Sequence, residues 1–175
     1  MDLLTTIITT QRLVIVPMNE THAADIFREL TPEVATYLSF NPTGKIEDTY
    51  TFITNAQVTM KNGVEMPVVA SDKVTKEFIG CAGIHKIKTG EPELGIWLKK
   101  SAHKQGYGKE ILQGLIDWAK KHLEYETLMY PVAKANIASR KLAESLEGTL
   151  VGEQVYTSST GKVLDEEVYR IRKFR

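Results

Sequence analysis

The stretch His103-Lys104-Gln105-Gly106-Tyr107-Gly108-Lys109 sets basic side chains around two glycines one residue apart. It follows the apolar run Leu94–Leu98 and leads into a helical pattern. At a strand-to-helix turn, residues without a Cβ let backbone N–H groups face an anion. The helix adds its own unpaired N–H groups and the positive end of its dipole. The predicted chemistry is anion binding, of a pyrophosphate above all. Glycines also end strands and start helices for purely structural reasons, so the turn needs support from its surroundings. Two other places carry groups suited to chemistry. Asn136 stands where it can cap a helix that has Ser139 in its first turn, and Glu93 precedes the apolar run that feeds the glycine turn.

The elements that must position these groups follow from periodicity. Residues 11–17 read as a strand closed by Pro17. His22 to Leu30 spaces Ala23, Ile26, Phe27 and Leu30 as a helix, with Asn19 or Thr21 able to cap it. A short helix is expected from Thr31-Pro32, carrying Val34, Tyr37 and Leu38. A longer one is expected over 46–61, with Tyr50, Ile53, Val58 and Met60 among its apolar positions and Asn62-Gly63 at its end. Strands at 66–71, 76–86 and 91–99, joined by short polar turns, predict an antiparallel meander. Gly106 to His122 is an amphipathic helix, 127–132 a strand, 137–146 a helix, and about 149–157 and 163–172 a final hairpin. The expected fold class is α+β: a mixed, mostly antiparallel sheet of about seven strands flanked by helices, in one domain over 1–175.

Composition narrows the function classes. The 175 residues carry 42% hydrophobic and 25% charged residues, ordinary for a globular protein, and a formal net charge of +0. A neutral chain has no bulk attraction for nucleic acid or a membrane surface. No apolar run approaches the ~20 residues that cross a bilayer. Met1-Asp2-Leu3-Leu4 has an early acid and no basic region, unlike a secretory signal, so a cytoplasmic location is expected. The single cysteine, Cys81, lies in an apolar strand-like run and is expected to be buried packing. His22 and His85 read as ordinary helix-surface and strand-end histidines, and no metal site is expected. Trp97 and Trp118 read as core or wall residues. A nucleotide-binding module is disfavoured, because no Walker-type glycine–lysine pattern and no third glycine after Gly108 are present.

The order of elements and four stretches resemble the GNAT superfamily of N-acetyltransferases, and within it the ribosomal-protein N-acetyltransferase-like branch. Thr10-Gln11-Arg12-Leu13-Val14-Ile15 is similar to that branch's opening strand. The segment from Thr31 to Pro42 resembles its second helix and the loop lining the acceptor side. His103-Lys104-Gln105-Gly106-Tyr107-Gly108 stands where the family has its pyrophosphate loop, with His103 in place of the usual Gln or Arg. Asn136-Ile137-Ala138-Ser139 matches the family's Asn-x-x-Ser helix start. The likeness spans roughly residues 8–173, and it departs from the family at Leu146-Glu147-Gly148, where the branch has Leu-Gly-Phe.

The resemblance implies an acetyl-CoA-dependent N-acetyltransferase that needs no metal. Acetyl-CoA is expected in a cleft where the strands at 91–99 and 127–132 splay apart. The backbone of Ile96, Trp97 and Leu98 would pair with the pantetheine arm. The segment His103 to Lys109, comprising His103, Lys104, Gln105, Gly106, Tyr107, Gly108 and Lys109, would hold the pyrophosphate. A backbone N–H near Leu98 would meet the developing oxyanion as a neutral amine attacks. Ser139 is the candidate beside the CoA sulfur, although a serine there also commonly supports the cap; Asn136 can cap and contact the pantetheine together. Glu93 would bind or deprotonate the amine through water, or else is an exposed edge carboxylate. Tyr156 is an acceptor-side candidate. A non-catalytic acyl-CoA sensor on the same fold is the alternative. The acceptor is a protein N-terminus or a small-molecule amine, and the chain a monomer or homodimer, with helices at 20–62 or the final hairpin available for contact.

Overall fold

The structure, a computed structural model, describes residues 2–173. Met1, which opens the amino-terminal stretch discussed above, and residues 174–175 of the expected domain lie outside the described residues.

Alternation builds the first long strand. In β2 (Leu13–Pro17; β1 is the two-residue Ile8–Thr9), Leu13, Ile15 and Pro17 are buried and Val14 and Val16 half-buried. β3 (Met66–Asp72) and β4 (Phe78–His85) are apolar without a period because helices cover both their faces. β5 (Glu93–Leu98), β6 (Thr127–Ala133), β7 (Thr149–Thr157) and β8 (Val163–Arg172) complete one eight-stranded sheet of order β1-β2-β3-β4-β5-β6-β8-β7. Neighbours are antiparallel except β5 and β6. The expected α+β sheet is therefore present. Its eighth strand, β1, pairs Ile8 with Ile15 and is too short to show a period in sequence.

Helices occupy both faces. α3 (Tyr107–His122) buries Ile111, Leu112, Leu115, Ile116 and Ala119 against Leu13, Ile15, Ile84, Leu94 and Leu128, and α4 (Ile137–Ser145) adds Ala143 to the same cluster. On the other face α1 (Ala23–Glu29) and α2 (Ile46–Lys61) enclose Met18, Ile26, Ile53, Val69, Phe78 and Cys81. Burial pushes the Cys81 thiol well up, in keeping with a packing role.

Three elements differ from expectation in detail. The first helix opens as a 3-10 turn, Glu20–His22, with the Asn19 side chain accepting from the Thr21 N–H, and its Phe27 is 39% exposed. On α2 the buried stripe runs Ile53, Ala56, Met60, so Tyr50 and Val58 stay exposed. The helix expected from Thr31-Pro32 shrinks to a 3-10 turn, Val34–Tyr37, ended by the extended Leu38. One short turn fixes too few hydrogen bonds to propagate.

The β5–β6 junction decides what the sheet can do. The two strands run parallel, joined by α3, and pair only at Glu93 and Met129, where the Met129 N–H donates to the Pro92 carbonyl at 2.8 Å. Beyond that point they diverge. β5 keeps β4 on one side through Leu98, and past Glu93 its other edge has no strand partner among the described residues.

Candidate active site

The basic loop closes the end of β5. Lys100–Ala102 forms a 3-10 turn, after which Lys104 (φ 60°) and Gly106 (φ 80°) both take the left-handed conformation. A Cβ at Gly106 would find open space apart from the Arg12 guanidinium at 3.6 Å. The first α3 N–H with a backbone acceptor is that of Glu110, to the Gly106 carbonyl at 3.2 Å. The N–H groups of Tyr107, Gly108 and Lys109 precede it at the positive end of the helix dipole. Gly108 also serves packing: a Cβ there would meet Leu142 Cδ2 at 3.2 Å, so the glycine lets α3 approach α4.

Side chains within the loop are turned on its own frame. One ring nitrogen of His103, Nε2, lies 3.0 Å from the Leu98 carbonyl, and Gln105 Nε2 donates to the Ser101 carbonyl at 2.6 Å. Arg12 ties the loop from the opposite side. Its guanidinium donates to Glu110 at 2.7 Å and to the Gln105 carbonyl at 3.0 Å, and lies 4.1 Å from the centre of the Tyr107 ring. Glu110 also accepts from the Thr10 hydroxyl at 2.6 Å and from the Arg12 N–H at 2.7 Å. Burial raises the Glu110 pKa, but these hydrogen bonds and the guanidinium outweigh it and hold the carboxyl below its ordinary value.

A cleft of about 400 Å³ opens where β5 and β6 part. Glu93, Gly95 and Ile96 line it from β5, Tyr130 to Ala133 from β6, and Asn136 and Ser139 from the start of α4. Tyr37 to Ser39 cover it, and Gln154, Tyr156 and Glu166 close the far side. Of the residues singled out in the sequence, Glu93, Ile96, Asn136, Ser139 and Tyr156 thus share one cavity. Trp97 and Leu98 point elsewhere. The Trp97 ring packs 5.7 Å from Phe78 on the α1–α2 face, and Leu98 joins the α3 core.

The polar lining of the cleft includes the carboxylates of Glu65, Glu93 and Glu166. Glu93 accepts from Lys86 Nζ at 2.6 Å. Glu166, on β8, is 8% exposed and accepts from Gln154 at 2.8 Å. Asn136 caps α4, its side-chain oxygen accepting from the Ser139 N–H at 3.2 Å. The Ser139 side chain is the polar neighbour of the Tyr130 phenol, whose pKa burial pushes up to about 12. The covering segment is held at both ends: Lys100 pairs with Glu33, and Lys162 Nζ donates to the Ala35 carbonyl at 2.8 Å and to Asn41 Oδ1 at 3.0 Å.

The model of the acetyltransferase (GNAT) domain family matches residues 12–149. The chain belongs to this family of acetyltransferases. No curated protein matches the sequence. Solved structures share the fold at low identity. An acetyltransferase from Salmonella typhimurium that modifies the N-terminal serine of ribosomal protein L7/L12 is 18% identical, with a TM-score of 0.83 over 95% of this chain and 99% of that one. A RimL ribosomal L7/L12 α-N-protein acetyltransferase in complex with coenzyme A is 18% identical, with a TM-score of 0.81 over 95% and 98%. A GNAT-family acetyltransferase from Bacillus anthracis is 17% identical, with a TM-score of 0.81 over 96% and 99%.

Sequence patterns missed several groups of this GNAT cleft. His85 is no ordinary strand-end histidine: it lines the cleft, its Nδ1 lies 3.4 Å from Glu65 Oε1, and its ring lies over Gly83 and Gly95. Those two glycines face each other across β4 and β5 and were the available signal. Lys86, Tyr130 and Glu166 gave none, because each fits its strand pattern equally well as a core or edge residue.

Proposed function

We propose that this chain, acting as one cytoplasmic domain over 1–175, is an N-acetyltransferase that passes an acetyl group from acetyl-CoA directly to a primary amine. The observation carrying the reading is the parting of β5 from β6 between an anion-suited loop and a carboxylate-lined cavity. Such a junction fits both parts of acetyl-CoA. The free edge of β5 offers the backbone groups of Ile96 and Leu98 to an extended, amide-bearing arm, with those of Trp97 between them turned to β4. The open space at Gly106 and the leading N–H groups of α3 suit a pyrophosphate, with the Lys104 and Lys109 charges beside it. His103 and Gln105 keep the loop in shape rather than reaching outward.

Acetyl-CoA supplies an activated acetyl group on a thioester. The chain's residues bind, orient and manage protons. Glu65 and Glu166 leave the cavity net negative, Glu93 being offset by Lys86, which favours entry of an ammonium. In this reading backbone N–H groups at the end of β5 meet the negative charge that develops on the carbonyl oxygen. Ser139 then delivers a proton to the leaving sulfur; its position at the Asn136 cap and beside Tyr130 supports the role. No covalent acetyl-enzyme is needed, and the only cysteine is buried. The RimL neighbours make a protein N-terminus one natural acceptor, and a small-molecule amine is the other.

Thiol release from acetyl-CoA tests the reading against spermidine, kanamycin and short serine-initiated peptides. Amine-dependent release with an acetylated product is expected. Tight acetyl-CoA binding with no release from any amine would move the chain to the non-catalytic sensor class.

A further inference from the structure

We propose that His85, oriented by Glu65, accepts the proton that the acceptor ammonium must lose before it attacks. The inference rests on the acetyltransferase reading and adds a base that the motifs do not name.

The geometry begins with two missing side chains. Gly83 on β4 and Gly95 on β5 are register partners, and His85 extends from the same face of β4. A Cβ at Gly95 would lie 3.0 Å from His85 Nε2, and one at Gly83 would lie 3.2 Å from it. The bare backbone of both strands is therefore what makes room for the imidazole. Its side chain is 40% exposed and lines the cleft next to Gly95 and Ile96, on the strand whose free edge is assigned to the donor.

The two ring nitrogens have different surroundings. Nδ1 faces Glu65 Oε1 at 3.4 Å, at the entrance to β3. A carboxylate there favours a proton on Nδ1 and leaves Nε2, over Gly95, with the lone pair. This is the orienting arrangement of base and carboxylate that general-base chemistry uses. Other ionisable groups face the ring from every side of the cleft. Lys86 follows it on β4, and Glu93, its register partner on β5, is already engaged by Lys86 at 2.6 Å. Tyr37 lies in the cover, Tyr130 on β6, and Tyr156 and Glu166 on the hairpin. Because Glu93 is occupied by a lysine, His85 is the better placed of the two to take up a proton.

The step balances without a further reagent. One ammonium N–H bond breaks, its proton goes to Nε2, and the electron pair stays on nitrogen. That pair forms the N–C bond to the acetyl carbon as the C–S bond breaks. The second nitrogen proton ends on the departing sulfur, through Ser139. The imidazolium then releases its proton to water at the mouth of the cleft, so each turnover yields amide, free thiol and one proton. Glu65 acts through His85 and is a positioning residue.

The test is the pH profile of kcat, measured with acetyl-CoA and whichever of spermidine, kanamycin or a serine-initiated peptide turns over. The wild-type rate is expected to rise with pH and then level off, the limb that a general base gives. His85→Gln is expected to lose that limb and to lower kcat on the order of 10²-fold near neutrality, with acetyl-CoA affinity by calorimetry unchanged. Glu65→Gln, which leaves the ring unoriented, is expected to lower kcat with acetyl-CoA affinity unchanged, and Glu65→Asp to restore the rate in part. Wild-type turnover with an unaltered profile and rate in His85→Gln overturns the base assignment alone. No turnover by wild-type protein on any of these amines overturns the acetyltransferase reading and this inference with it.

Discussion

Arg12 and Glu110 stand 98 positions apart in the chain and meet at 2.7 Å, guanidinium Nε to carboxylate, where α3 leaves the basic loop. Arg12, within the opening strand motif, is thereby bound to the loop it does not adjoin. Through Gln105 and Tyr107 the same guanidinium touches both sides of Gly106.

Replacing Arg12 tests this support. Arg12→Ala leaves a largely buried Glu110 carboxylate with fewer donors and frees the Gln105 carbonyl. A charged hydrogen bond of this kind contributes about 1–2 kcal/mol after allowance for the exposed guanidinium. Denaturant unfolding is expected to show that loss, and acetyl-CoA affinity is expected to fall roughly tenfold. Lysine cannot reproduce the fork and restores little.

Glu110 also gives stability a pH dependence with a definite sign. Its pKa is lower folded than unfolded, so its contribution is fully present above the ordinary value of 4.5 and is lost as pH falls through the folded value. Glu110→Gln removes that contribution. The stability gap between wild type and the variant should therefore shrink from about pH 7 to about pH 3 in equilibrium unfolding.

At Gly106 the backbone itself is constrained. With φ at 80°, a valine pays strain of about 1–3 kcal/mol and also fills the space open above the loop. Gly106→Val is expected to lower the unfolding midpoint modestly and to weaken acetyl-CoA binding at least about tenfold by calorimetry. A variant with wild-type affinity removes the loop from the donor site.

Ser139→Ala separates chemistry from capping. The Asn136 cap uses the Ser139 backbone N–H and survives the substitution, so acetyl-CoA affinity and stability should hold. Turnover is expected to fall on the order of 10²-fold if the hydroxyl delivers the proton. An unchanged rate leaves Ser139 as a helix-start residue only.

Much of this was legible because local chemistry and fold agree. The helices at 46–61 and 107–122 follow from unbroken apolar periods, the α4 start from Asn136, and the hairpin turn from Gly161 with its φ of 82°. What was not legible depends on contacts distant in the chain. Glu110 looks like an exposed helix position until Arg12 arrives from the first strand. His85 looks like a strand end until the pairing of Gly83 with Gly95 places bare backbone beneath its ring. The parting of β5 and β6 was expected from the family resemblance alone; no residue pattern marks it, since it is the absence of pairing past Glu93.

The most direct measurement of the central claim is an amide NMR titration with acetyl-CoA. The account predicts saturable shifts concentrated at Ile96–Leu98, at Gly106–Lys109 and at Asn136–Ser139. Absence of saturable shifts, or shifts confined to the groove beside Leu4, Ile7 and Val58 on the far face, would contradict it.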